Sequence, residues 1–303
     1  MTARLRLAAL LAAGLLACHP VGDESSRIVL VDDAGDSLRL AQPARRIVSL
    51  NPVITELVFA LGVGERLVGR TSECDYPPAA ARVASVGGWL PPNVEAVAAR
   101  SPDLVVLYQG PTVATAAQGL RALGIPVLAL RTDHLADLPR LARLLGPALA
   151  ASRQADSLAS AFEATLDTLR RAAAPVSAPP VVLVAWDQPL VVLGGGSYVS
   201  ELVELAGGRN VYRDLPLSSL PTSLESIISR APAVVVTVGR INSDFARRPE
   251  WQVLPSVREH RILSITESAL TRPSPRSLAA IPLLRRQLEA VRMLHPRAQE
   301  IPP

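Results

Sequence analysis

The stretch Ser152 to Ala174, SRQADSLASAFEATLDTLRRAAA, decides how the rest of the chain is read. Ala155, Leu158, Phe162, Leu166 and Leu169 recur at steps of three and four, so they share one helix face, and no Gly or Pro interrupts them. Ser152 suits an N-cap, and Arg170 and Arg171 suit the negative pole of the helix dipole. Pro175, Pro179 and Pro180 then stop the helix. At about 1.5 Å per residue it runs roughly 35 Å, enough to cross a domain.

The sequence on either side of this helix reads as one unit written twice. Before it stand Thr55-Glu56-Leu57-Val58-Phe59-Ala60-Leu61-Gly62 and then Asn93 to Leu107, NVEAVAARSPDLVVL. After it stand Ser200-Glu201-Leu202-Val203-Glu204-Leu205-Ala206-Gly207 and then Ser223 to Thr237, SLESIISRAPAVVVT. Each half offers a short helix ending in Gly, then a capped helix that passes through a Pro into a β-branched strand. Two copies are too few for a solenoid. The economical arrangement is two lobes joined by one long helix.

Length agrees, since 303 residues leave room for two domains of about 130 residues each. The net charge of +4 is small, and no run of basic residues exceeds two, which argues against nucleic acid as a partner. At the N-terminus, Arg4 and Arg6 precede the apolar run Leu7 to Leu16 and then Leu15-Leu16-Ala17-Cys18. A charged start, a short apolar run and small residues at a cleavage point predict an export leader. The run is too short to span a bilayer. Leu-Leu-Ala-Cys resembles the bacterial lipobox, which implies lipidation of Cys18 and a membrane anchor followed by a polar tether. Cys74 is then left without an intrachain partner.

Strands are predicted at Arg46 to Leu50, Arg66 to Arg70, Ala84 to Val86, Leu104 to Tyr108 and Pro126 to Leu130, after a hairpin over Arg27 to Leu40. The second half carries strands at Val181 to Ala185, Val191 to Leu193, Ala233 to Val238 and Ile262 to Ile265, and a closing helix from Ser277. Strands alternating with helices predict parallel sheets. The fold class expected is α/β: two Rossmann-like lobes with parallel sheets bridged by a single long helix. The boundaries fall at residues 1–17 (leader), 18–45 (tether and hairpin), 46–150 (first lobe), 151–175 (bridging helix) and 176–303 (second lobe).

Enzyme motifs fail on inspection. Gly62-Val63-Gly64-Glu65-Arg66-Leu67 lacks the last glycine of a dinucleotide fingerprint and follows a helix. Gly194-Gly195-Gly196-Ser197 has neither the Lys of a phosphate loop nor the second Gly of a nucleophile elbow, and is expected to make a tight turn. The histidines, His19, His134, His260 and His295, show no metal-ligand spacing, so neither a metal nor a resident cofactor is expected. His134, just past a strand, lines a cleft or sits in a solvated loop.

Ligands of open parallel sheets sit beyond the carboxyl ends of the strands. Trp89, Tyr108 and Trp186 fall there, three of only ten aromatic residues, and their flat faces suit a bulky planar ligand. Arg272, past the last strand in Arg272-Pro273-Ser274-Pro275-Arg276, either faces such a ligand or is a surface charge on a rigid turn. Glu95 and Glu225 hold the same place in the two copies, in the first turn of a capped helix, where they compensate the helix dipole.

Val68 to Pro78 (VGRTSECDYPP), Val86-Gly87-Gly88-Trp89, Asn93-Val94-Glu95, Ala206 to Val211 (AGGRNV) and Ser274-Pro275-Arg276 together resemble the cobalamin-binding periplasmic proteins of ABC importers. These belong to the helical-backbone class of substrate-binding proteins shared with siderophore and haem binders. The resemblance spans roughly Arg45 to Met293. It implies two lobes on one helix, a cleft lined by Trp89, Tyr108 and Trp186, and Arg272 against a corrin ring. It also implies that Glu95 and Glu225 dock on the permease that works with an ATPase. Glu73 and Ser219 depart from it, standing where cobalamin binders carry a cleft Tyr and a Trp. The expected function is therefore non-enzymatic: a monomeric, lipid-anchored periplasmic or cell-surface protein that binds a corrinoid, or alternatively a ferric siderophore or haem.

Overall fold

The computed structural model describes residues 28–172, 178–239, 241 and 243–293. The leader, Cys18 and the tether lie outside the described residues. Strands β1 (Ile28–Val31) and β2 (Ser37–Leu40) form the antiparallel hairpin that the sequence predicts, turning through Gly35 at φ +87°. The Asp32 carboxylate accepts from Ala34 and Asp36 N–H inside that turn and from Ala129 N–H outside it, which pins the hairpin to the first lobe.

That lobe runs β3 (Ile47–Ser49), α1 (Pro52–Ala60), β4 (Leu67–Arg70), α2 (Val94–Ala98), β5 (Leu104–Tyr108), α3 (Ala114–Ala122) and β6 (Val127–Leu130). The order across the sheet is β4-β3-β5-β6, parallel throughout. Leu104, Val105, Val106 and Leu107 are all buried because helices cover both faces, which is why this strand reads as an unbroken apolar run. Helix α1 starts where Asn51 Oδ1 accepts from Val53 N–H, with Pro52 in the first turn where no N–H is needed. The predicted strand at Ala84 to Val86 is reduced to one parallel bridge between Ser85 and Arg70.

Helices α4 (Asp137–Ala148) and α5 (Ser152–Ala172) follow. Helix α5 is the bridging helix: Ala155, Ala159, Phe162 and Leu166 are buried, and it packs against α4. The two helices approach closely because residue 146 is Gly; a Cβ there would lie 2.9 Å from the Ala155 Cβ. Ser152 is not the cap the sequence suggests. It is the first helical residue, and the carbonyl of Ala151 accepts from Ala155 N–H.

The second lobe comprises β7 (Pro180–Asp187), β8 (Leu190–Leu193), α6 (Tyr198–Leu205), β9 (Arg209–Asn210), β10 (Ser219–Pro221), α7 (Leu224–Ser229), β11 (Val234–Val238), α8 (Pro255–Arg258), β12 (Ile262–Ile265), α9 (Ser268–Thr271) and α10 (Ser277–Met293). Its order is β10-β8-β7-β11-β12, with β9 beside the start of β7. Here the expectation of a parallel sheet holds for β7, β9, β11 and β12; β8 pairs antiparallel with both β7 and β10. The cause is the connection. Only Gln188 and Pro189 separate β7 from β8, whereas a parallel pair needs a crossover of about a dozen residues. Among the described residues, no helix is long and apolar enough to cross a membrane, and no group of three or more His, Cys, Asp or Glu is placed to hold a metal.

Candidate ligand-binding cleft

The carboxyl ends of β6 in the first lobe and of β7 and β11 in the second open on one cavity of about 560 Å³. Thr132 and Asp133, just past β6, form its wall on the first lobe. The second lobe contributes Ala185 and Trp186 at the end of β7, Ser197 to Val199 at the start of α6, and Val238 and Gly239 after β11. Ser218 and Ser219, where β10 begins, also line the cavity. The three glycines ahead of Ser197 explain how those serines reach it. A Cβ on Gly194, Gly195 or Gly196 would collide with the carbonyl oxygens of Leu217, Arg213 or Pro216, so these glycines let the 213–217 segment lie flush. The expected tight turn is present, closed by Ser197 N–H to the Gly194 carbonyl at 3.2 Å, but none of the three has a positive φ, so close backbone approach is what requires glycine.

The predicted aromatics take different stations. Trp186 lines the cavity and is 63% exposed, an indole held open to the cleft. Tyr108 does not line it; its hydroxyl donates to Asp133 Oδ1 at 2.8 Å, and Asp133 does. Burial, and then the Asp133 bond and charge, push the Tyr108 phenol up to about 12. Trp89 is 41% exposed on the loop that follows Gly88 and does not line the cavity. Tyr198, which sequence reasoning passed over, does line it; burial pushes its phenol upward while Arg272 pulls the other way.

Arg272 does not line the cavity, and its side chain is only 13% exposed. Its Nη1 donates to the Glu73 carbonyl at 3.0 Å, its Nη2 pairs with Asp75, and its Nε lies 3.2 Å from Glu56 Oε1. Arg276 forks the same carboxylate, Nε to Glu56 Oε2 at 2.8 Å and Nη2 to Oε1 at 3.0 Å, and lies over the Tyr76 ring at 3.5 Å. Glu56 stands on α1 of the first lobe with its side chain 2% exposed, so this cluster fastens the lobes together. A second fastening lies at the cavity itself, where Tyr198 N–H donates to the Asp133 carbonyl at 2.9 Å. Beside it His134 Nδ1 meets Glu201 Oε1 at 2.8 Å, so His134 is an interlobe partner and not a free loop residue. Neither Glu56 nor Asp133 stood out in the sequence. The only local signal for Glu56 was a single acid inside the apolar run VITELVFA.

Comparison with known proteins agrees with this geometry. Residues 47–269 match the family model described as "Periplasmic binding protein". The chain belongs to the periplasmic binding protein family. A vitamin B12-binding protein of Yersinia pestis (strain Pestoides F) is 31% identical over 255 residues, which cover 83% of this chain and 89% of that protein. The solved periplasmic heme-binding protein RhuT of Roseiflexus sp. RS-1 has a TM-score of 0.73 at 26% identity, covering 82% of this chain and 99% of that one. The periplasmic vitamin B12-binding protein BtuF of Vibrio cholerae has a TM-score of 0.70 at 26% identity, covering 82% and 98%. This binding protein therefore has the fold its duplicated sequence predicts, two α/β lobes and a connecting helix, in the class that includes vitamin B12 and heme binders.

On the surface of the binding protein, Glu95 and Glu225 occupy equivalent places. Each is exposed in the first turn of a short helix, two residues after an N-cap that makes its bond: Asn93 Oδ1 to Ala96 N–H, and Ser223 Oγ to Ser226 N–H. Its own backbone N–H and the Ser223 hydroxyl hold the Glu225 carboxyl below the usual range.

Proposed function

We propose that this binding protein captures a corrinoid, cobalamin foremost, in the interlobe cleft and hands it to an ABC permease powered by its ATPase. The observation that carries this reading is a cavity of about 560 Å³ at the strand ends of both lobes, with the open indole of Trp186 on its wall. A pocket of that order is the size at which proteins enclose bulky small molecules or a large part of them. The 31% identical vitamin B12-binding protein supports the ligand class. Trp186 and Trp89 supply flat apolar faces, and Tyr108 acts through Asp133. Arg272 reaches the ligand by exchanging its exposed partner Asp75, whose side chain is 64% exposed. Glu95 and Glu225 dock one lobe each on the permease, where rim charges set register and on-rate. Cys18 carries the lipid anchor, and the protein works as a monomer by binding and release with no chemical step.

Haem is the second reading, favoured by the likeness to the heme-binding RhuT structure. One experiment separates them. Soluble protein lacking residues 1–18 is mixed with cyanocobalamin, haem or a ferric siderophore and desalted. Red cyanocobalamin colour travelling with the protein is the expected result. Retention of haem or siderophore alone moves the assignment to that ligand, and a colourless protein in all three mixtures refutes the proposal.

A further inference from the structure

Asp133 lines the cavity with part of its hydrogen-bonding capacity unused by the protein. Its backbone N–H, with that of His134, donates to Asp137 Oδ2 at 2.9 Å, which fixes the turn entering α4. Its carbonyl accepts from Tyr198 N–H across the lobes, and its Oδ1 accepts from the Tyr108 hydroxyl. Three of its four polar atoms are thus committed to protein, and the fourth, Oδ2, has no donor among the described residues. Nearby positive charges are engaged elsewhere: Arg140 pairs with Asp33 and Asp137, and Arg131 Nε donates to Gln109. Asp133, a residue of the cavity wall, therefore keeps one carboxylate oxygen open as an acceptor.

We propose that Asp133 is a specificity-determining residue: its free carboxylate oxygen accepts an N–H from a carboxamide of the ligand and rejects a ligand with a carboxylate at that place. The proposal rests on the corrinoid reading above. An ionised acceptor forms a strong bond to an amide donor, whereas two carboxylates at hydrogen-bond distance repel and leave both without a proton to share. Asp133 thus separates ligands that matched shape and flat apolar surface would admit equally, taking amide-armed macrocycles over acid-armed ones. Tyr108 is the positioning residue, since its hydroxyl occupies Oδ1 and leaves Oδ2 for the ligand.

The test compares two probes that differ only in this chemistry: cyanocobalamin, whose corrin side arms are carboxamides, and cobalamin monocarboxylates made by mild acid hydrolysis of single side arms, tested as separated isomers. Kd is measured by quenching of tryptophan fluorescence for the wild type, Asp133→Asn and Asp133→Ala. The expected result is opposite signs. Asp133→Ala weakens cyanocobalamin about tenfold or more, the loss of one charge-assisted bond. For at least one monocarboxylate isomer, wild type binds more weakly than it binds cyanocobalamin, and Asp133→Asn restores the affinity, because an amide donates to the acid. A purely structural role for Asp133 weakens all probes together, so equal losses, or no change, overturn the proposal and leave the corrinoid reading standing. Wild type that binds neither probe overturns both.

Discussion

Replacing Glu56 by Gln takes the charge out of the lobe junction while keeping its volume, so no cavity confuses the result. In the native protein that carboxylate, 2% exposed, faces two guanidinium groups whose side chains are 13% and 24% exposed. Removing one partner of a buried ion pair costs about 3–5 kcal/mol, because the remaining charge stays desolvated. Arg272 keeps Asp75 and the Glu73 carbonyl, and Arg276 keeps the Ser268 hydroxyl and the Tyr76 ring, so the lower end applies, about 3 kcal/mol. For a chain of this size that lowers the thermal midpoint by roughly 6–12 °C, at about 2–4 °C per kcal/mol. The assay is a calorimetric melt at pH 7 of the soluble protein, paired with Arg276→Gln and the double variant. The double variant should fall well short of the sum of the singles, with a coupling of about 1 kcal/mol or more, since both changes break one contact. A Glu56→Gln midpoint within about 2 °C of wild type, under 1 kcal/mol, refutes the claim that this cluster binds the lobes.

The Tyr108 phenol is raised from 10.0 to about 12 in the folded protein, so between those values the unfolded chain releases a proton that the folded one keeps. Its contribution to stability is therefore complete below about pH 10 and is lost as pH climbs toward about 12; Tyr108→Phe should flatten the fall in melting temperature across that window, and parallel curves for the two proteins would count against the assigned burial and Asp133 bond. Charge reversal at both Glu95 and Glu225 should abolish stimulation of the importer's ATPase while leaving ligand affinity as it was, since both side chains are exposed and neither lines the cavity; a matching loss of ligand binding would assign them to the cleft.

Much of the architecture was legible because it follows from local rules. The spacing in SRQADSLASAFEATLDTLRRAAA places Ala155, Phe162 and Leu166 on one face whatever they meet, and that face is buried. The apolar run LVVL requires cover on both sides, which only helices flanking a parallel strand provide. Asn93 and Ser223 cap as predicted because capping depends on the next three residues alone. Helix α4 has no counterpart among the expected elements, and its Pro139, Gly146 and Pro147 are residues that ordinarily break helices. In the structure Pro139 sits in the first turn and Gly146 and Pro147 in the last, where breaking costs little, while Leu138, Leu141, Ala142 and Leu145 keep the helical period. The antiparallel return of β8 was missed although readable, because the five residues between the strands expected at Val181 to Ala185 and Val191 to Leu193 are too few for a parallel crossover.

The sequence by itself determined the two-lobed α/β plan, the strut between the lobes and the placing of aromatics at strand ends, all consequences of periodicity and near-neighbour chemistry. Only the tertiary structure decided what the polar groups do. Arg276 finds Glu56 across 220 positions, Arg272 turns to the same carboxylate, and Tyr108 bonds to Asp133 instead of lining the cavity. No local pattern encodes those pairings, because a charge takes whichever partner the packing of the lobes brings within a few ångströms of it.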